Sequence, residues 1–540
     1  MSDNTGAEYI TGIFKNNEDA FDSITKVQTQ NKVGISSMNP ALPILDLHGI
    51  TRAQIHTSLF QKMQEKLLSK VDNLEDRALT KLLDRCFRYI GGDAQLRSVC
   101  LQIMQKLPII DEKYLRPLSE NVELYNSCPL GVKQQIWSTN QGLFGEAVSP
   151  LLDQYISDKE NLLFGVEDKS KNSVSFLSIL PRSRRQNAVI QELVSMLGNS
   201  PTLYTTLLQF LRTLFLRTQI SHYCTLRADL LMTLHEKESK LCELDRCRKF
   251  AWCLDACVRV GGVDAKKTRE LYSFIEEQEQ GDDILGDVSM LLRDPYTLHT
   301  LCKSILQNIL QLFEQSQLPR ESNDLECLVR LLLLGLKSLR LIDSKEYYED
   351  KFDTDLLIRF IPDLLSLMAE NSLRVLYRQL GEEHPPHTPS QNFIKYLTKH
   401  TSAMYITCMY AVHLLEKKEL KSFIFLLPTI ARAFTSSTEG TQMPDVFLHI
   451  LVHHVTCQQE LKVATLQVML RQFWMPCCQA SETVLLHLCR LLWKIHCRLS
   501  TSLLEEVLSA MKKGSELSQA TQEQYVGLIE HIRASKKDEL

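Results

Sequence analysis

The stretch Leu207-Leu208-Gln209-Phe210-Leu211-Arg212-Thr213-Leu214-Phe215-Leu216-Arg217 decides the fold class. Residues 207, 208, 211, 214 and 215 recur at helical spacing and form one apolar stripe, with Phe210 at its edge and Leu216 nearly opposite. One partner cannot cover a helix that is apolar on more than one side. Such a helix must pack in two directions, as a helix between the layers of a stack does.

The same pattern extends outward. Amphipathic stretches are expected at 52–71, where Ile55, Leu59, Met63, Leu67 and Leu68 share a face, and at 75–90, 93–106, 119–138, 188–197 and 201–219. Interruptions fall at 157–187, 276–288, 316–324 and 381–392, the last with three prolines. Only 20 of 540 residues are glycine, and alternating Val/Ile/Thr segments are scarce, so the chain reads as mostly helical. Phe360-Ile361-Pro362-Asp363-Leu364-Leu365 and Leu426-Leu427-Pro428-Thr429-Ile430-Ala431 repeat an apolar-apolar-Pro-x-apolar-apolar pattern, with Leu107-Pro108-Ile109-Ile110 a poorer copy. A proline inside an apolar helical run removes a donor and bends the helix, a device of HEAT-like repeats. The expected fold is therefore an all-α, HEAT-like helical-repeat α-solenoid, with on the order of ten units at about 40 residues each. It divides into a polar leader (1–40), an N-terminal repeat half (41–300) and a C-terminal repeat half (301–540).

Composition narrows function by exclusion. With 61 basic and 65 acidic residues the net charge is −4, which argues against bulk attraction to nucleic acid or anionic membrane. No apolar segment reaches the ~18 residues of a spanning helix. The final Lys537-Asp538-Glu539-Leu540 matches a lumenal retention address. However, the first twenty residues carry four acids and no apolar run, and no Asn-x-Ser/Thr triplet occurs. The 16 cysteines form no dense even framework. The expected compartment is cytosol or nucleus, with KDEL as the end of a last helix.

No phosphate loop, dinucleotide fingerprint, nucleophile elbow or H-E-x-x-H helix is present. Cys242, Cys247, Cys253 and Cys257 could in principle hold zinc and support a metal-dependent enzyme. Their spacing lacks paired knuckles, so buried thiols are the expectation. His449, His453 and Cys457 form an i, i+4, i+8 ladder, with His454 alongside, next to Phe447, Ile450, Leu451 and Val455. A core-edge role is expected over metal binding or pH sensing. Arginines crowd the middle third at Arg182, Arg184, Arg185, Arg212, Arg217 and Arg227, and Arg246, Arg248 and Lys249 follow. The first six are candidate RNA or phosphate contacts, weighed against a solvated helix face or intrachain carboxylate pairing.

The stretch LLQFLRTLFLRTQISHYCTLRADLLMTLHE (207–236), with KFAWCLDACVR (249–259), resembles the negative elongation factor B family. ALPILDLHGI (41–50), VKQQIWSTNQGLFGEAVSPLLDQYI (132–156), SRRQ (183–186) and ILGDVSMLLRDPY (284–296) are similar in the same order, so the resemblance covers much of residues 40–300. The resemblance implies a non-catalytic, cofactor-free helical member of a four-subunit nuclear complex. With the DRB-sensitivity-inducing factor, that complex holds RNA polymerase II paused near promoters. Members of that family link the A and C/D subunits of the negative elongation factor to its E subunit, and the complex binds nascent RNA. The alternative is a helical-repeat adaptor of another nuclear or cytosolic complex.

Overall fold

A computed structural model describes residues 52–92, 94–165, 176–278, 284–344, 356–382, 389–437, 442–457, 462–512 and 517–538. The polar leader and residues 41–50 lie outside them. Every regular element among these residues is helical, and they form two compact units, up to Leu143 and from Phe144.

In the first unit α1 (Arg52–Val71), α2 (Asp76–Cys86), α3 (Ala94–Lys106), α4 (Glu112–Glu120), α5 (Val122–Ser127) and α6 (Leu130–Thr139) follow in order. Leu79, Leu83 and Cys86 bury one face of α2 at i, i+4 and i+7, and they join Val99, Ile103, Met104, Leu118 and Ile136 in one core. Each such leucine contributes about 2 kcal/mol by leaving water. The single helix expected over 119–138 is three shorter ones. Asn121 turns extended at φ −112°, ψ 112° and caps α5 by accepting from Leu124 N, while the Cys128-Pro129 step stops it.

The second unit holds α7 (Gln141–Phe164) from Phe144 on, α8 (Pro181–Arg185), α9 (Ala188–Leu197), α10 (Pro201–Thr218), α11 (His222–Glu236), α12 (Leu241–Leu244), α13 (Arg248–Val260) and α14 (Ala265–Gln278). It continues with α15 (Ile284–Leu292), α16 (Pro295–Glu314), α17 (Asn323–Leu336), α18 (Ser338–Ser344), α19 (Ile361–Gln379), α20 (Gln391–Lys399) and α21 (Thr401–Glu416). Last come α22 (Leu420–Thr435), α23 (Asp445–Cys457), α24 (Val463–Met469), α25 (Met475–Cys478), α26 (Glu482–Ile495), α27 (Thr501–Lys512) and α28 (Gln519–Asp538). The expected division near residue 300 falls inside α16. Lys537 and Asp538 end α28, while Glu539 and Leu540 lie outside the described residues.

Packing follows chain order. Helix α10 lies on α11, α11 on α13, α13 on α14 and α14 on α17; further on, α16 meets α21, α21 meets α23 and α23 meets α26. This neighbour-on-neighbour stacking is the helical-repeat architecture. Leu203, Leu207, Leu211 and Phe215 bury the inner face of α10, and Phe210 rests on Phe144, with ring centroids 6.1 Å apart. Helices α15 and α17 meet closely at Gly335, where a Cβ would sit 2.9 Å from the Leu292 carbonyl oxygen, so only glycine fits.

The prolines behave in two ways. Pro428 lies inside α22, whereas Pro108 lies in the connection after α3. Pro362 follows a π-helical turn, Leu356–Phe360, and Pro476 likewise follows one at Leu470–Trp474. A proline ring collides with the carbonyl four residues back, and the wider π turn moves that carbonyl away. Apolar-apolar-Pro therefore marks continuation of the helix at both places.

Candidate functional site

Helix α11 is the hub of the second unit. From His222 to Leu234 every residue except Ala228 is buried, so its Arg227 and Asp229 must find partners inside the protein. Arg227 Nη1 donates to Asp245 Oδ2 at 3.0 Å, and Tyr204 donates its hydroxyl to the same oxygen at 2.6 Å. Arg184 donates through Nε and Nη2 to the two Asp229 oxygens, both at 3.3 Å, and its guanidinium lies 3.8 Å from the centre of the Tyr296 ring. Arg185 pairs with Asp255 at 2.9 Å and Glu236 at 3.0 Å, and Arg212 with Asp287 at 2.6 Å. Burial opposes charge on Arg184 and Arg227, but the facing carboxylates outweigh it and hold both cationic. Burial likewise opposes charge on Asp245, and Arg227 overcomes it, keeping that carboxyl below its ordinary value.

The six candidate arginines therefore do not share one surface. Arg184, Arg185 and Arg227 are buried and paired, Arg212 is half-buried and paired, and Arg182 and Arg217 are exposed. A phosphate in solvent reaches only the last two without breaking an ion pair.

Cys242, Cys247, Cys253 and Cys257 are all buried. Burial pushes the Cys247 thiol up, and hydrogen bonding to Cys253 together with burial does the same to Cys257, which opposes the thiolate that zinc requires. Among the described residues no group of three or more His, Cys, Asp or Glu side chains is arranged to hold an ion. No described helix is long and apolar enough to cross a membrane.

The histidine ladder divides. Cys457 is exposed, 3.7 Å from His453, whereas His449 is fully buried at a junction that spacing gives no hint of. The Phe176 amide donates to His449 Nε2 at 3.3 Å, while Nδ1 lies 3.5 Å from the Leu163 carbonyl and 2.6 Å from Arg490 Nη1. Arg490 of α26 also donates to that same carbonyl, at 3.1 Å. Phe176 completes the junction, stacked on Tyr296 with centroids 4.5 Å apart. Phe176 is thus held between Tyr296 of α16 and His449 of α23, and the Leu163 carbonyl is held by Arg490 of α26, the last two partners nearly three hundred residues or more away in sequence. The expected break at 157–187 is shorter than its bounds, because α7 runs to Phe164.

Burial lowers His222 and His299 to about 4, and burial with the neighbouring Arg490 charge lowers His449 to about 3. A folded value below the free value means that the unfolded chain takes up protons first as pH falls. Stability present above about pH 6.5 is then lost progressively toward pH 4, roughly 1 kcal/mol per histidine by pH 5.5. Melting curves at pH 7.5 and 5.5 should show a clear drop, which the His449→Gln variant reduces.

One exposed face is apolar. Leu373, Leu376 and Leu380 are 43, 50 and 68 % exposed at i, i+3 and i+7, starting on α19 and ending just past it, and Phe425 on α22 is 44 % exposed beneath the Arg374 guanidinium. A continuous leucine stripe on a helix surface marks a place for another helix.

The profile of the Cofactor of BRCA1 (COBRA1) family matches residues 94–432. Over 527 residues the chain is 37% identical to Negative elongation factor B of Mus musculus and, equally, of Homo sapiens, covering 94% of this chain and 90% of each relative. The Drosophila melanogaster protein of that name is 34% identical over 547 residues, 98% of this chain and 91% of its own length. The chain belongs to the negative elongation factor B family. Similarity to that family extends well beyond residues 40–300 and takes in the His449 clamp and the leucine stripe. Membership makes the chain a transcription-elongation component, and the buried arginine pairs belong to its framework.

Proposed function

We propose that this chain is the non-catalytic scaffold of a nuclear negative elongation factor complex, linking the A and C/D subunits to the E subunit. In this role it contributes to promoter-proximal pausing of RNA polymerase II together with the DRB-sensitivity-inducing factor. The observation that carries the reading is collinear identity over nearly the whole chain to proteins named Negative elongation factor B. Stacked helices offer surface to partners, and the Leu373–Leu380 stripe offers a partner helix an apolar seat. Of the six candidate arginines, Arg182 and Arg217 are the ones exposed to meet nascent RNA.

The test is co-expression with the C/D and E subunits. Both should co-purify with the chain, and loss of both would overturn the reading. The Leu376→Asp/Leu380→Asp variant should keep its melting temperature, since both side chains already face water, while at least one partner is retained tenfold less. Unchanged retention of every partner would remove the stripe from the interface.

A further inference from the structure

The second unit holds a cavity of about 570 Å3 bordered by α16, α21 and the start of α23, within the size range of ligand pockets. Leu298, Met409, Val412 and Phe434 give it an apolar wall. Set into its lining are polar atoms that have no hydrogen-bond partner among the described residues. Arg293 is 5 % exposed; its Nη2 donates to Gln442 Oε1 at 3.0 Å, but its Nε makes no hydrogen bond, and no described carboxylate forms an ion pair with it. His222, 6 % exposed, has an unpartnered Nδ1. Buried polar groups are ordinarily satisfied, and a buried guanidinium without a counter-ion is costly to keep. Two such groups lining one cavity point to an occupant.

The lining also defines what the occupant is. A guanidinium matches a carboxylate through its planar fork. Asp445, whose Oδ1 accepts no hydrogen bond and lies 3.7 Å from His487 Nε2, and Glu160 also line the cavity; they can accept N–H donors and repel a second anion. One carboxylate, an apolar side chain and an adjacent N–H together describe the last residue of a polypeptide. We propose that the cavity binds the free C-terminal carboxylate of a partner polypeptide ending in an apolar residue, anchored by Arg293. This rests on the chain being a partner-binding scaffold.

The experiment measures fluorescence anisotropy of the full chain with N-terminally labelled hexapeptides. Their last residue is leucine, valine, methionine or phenylalanine, their upstream positions are randomised, and each is made as the free acid and as the amide. The free acids should bind, and amidation or the Arg293→Gln substitution should each weaken binding at least tenfold. Arg293→Gln should leave the melting temperature unchanged or raised, because it removes a buried charge that has no ion pair. Four outcomes would overturn the proposal: no binding of any peptide, equal binding of acid and amide, free leucine binding as tightly as the peptides, or a marked fall in melting temperature for Arg293→Gln. If peptides fail while the C/D and E subunits still co-purify, this inference falls and the scaffold reading stands.

Discussion

Replacing Arg227 with leucine should destabilise the second unit by about 3–5 kcal/mol, the cost of leaving a buried charge without its partner. Arg227 is 1 % exposed, and the side chain of Asp245 3 %. Asp245 would keep only its bonds from the Tyr204 hydroxyl and the Cys247 amide, at 2.6 and 2.8 Å. Two neutral donors do not offset the desolvation of a carboxylate. With the arginine gone, burial is opposed only by the Tyr204 and Cys247 hydrogen bonds and should raise the Asp245 pKa, so the folded variant takes up a proton more readily than the unfolded chain. Its deficit should therefore shrink as pH falls from 7 toward 5, as read from urea midpoints. In the parent chain the dependence runs the other way: Asp245 is held below its ordinary value, and its contribution disappears only as pH falls below about 3.8. Adding Asp245→Asn to Arg227→Leu should recover much of the loss, a coupling that a double-mutant cycle measures. If the single variant costs under 1 kcal/mol, the pair is not what holds α11.

The second large effect is expected for Phe176→Ala. Phe176 is fully buried, packed on Tyr296 and edge-on to His449. Truncating it should cost about 3–5 kcal/mol through lost transfer energy and the cavity left behind. The loss should also be local, because this residue and the Leu163 carbonyl are what the α23–α26 pair grips. Hydrogen exchange should accelerate at Leu163, Phe164 and Phe176–Ser178 and along α23, while α10 and α13 stay protected. Uniform acceleration across the second unit would mean that the clamp is not a separate cooperative piece.

Much of the fold was legible because helical periodicity is local. The stretch 207–217 announces a helix apolar on more than one side, and α1, α3, α9 and α10 lie within a residue or so of their expected bounds. Errors arose where a single residue outweighed periodicity. Asn121 and Pro129 divide 119–138, and Pro108, expected as a poorer copy of the in-helix proline pattern, lies between helices, whereas Pro362 and Pro428 stay within helices as the pattern implied. The arginines are the instructive case. Their clustering left a phosphate-binding face open beside a solvated face or intrachain carboxylate pairing; four of the six are paired, and Arg227 sits in Leu226-Arg227-Ala228-Asp229-Leu230-Leu231, where charges embedded in a leucine run signal interior pairs.

By itself the sequence determined an all-helical chain, its helix spacing and its family, since these depend on residues near each other along the chain or on likeness read position by position. Only the tertiary structure decided which charges face water, that His449 grips Phe176, and that Arg293, beside a cavity, has no counter-ion among the described residues. Those outcomes join residues tens to hundreds of positions apart. Whether a buried charge is paired depends on where stacking brings the opposite one, and no local pattern in the chain encodes that.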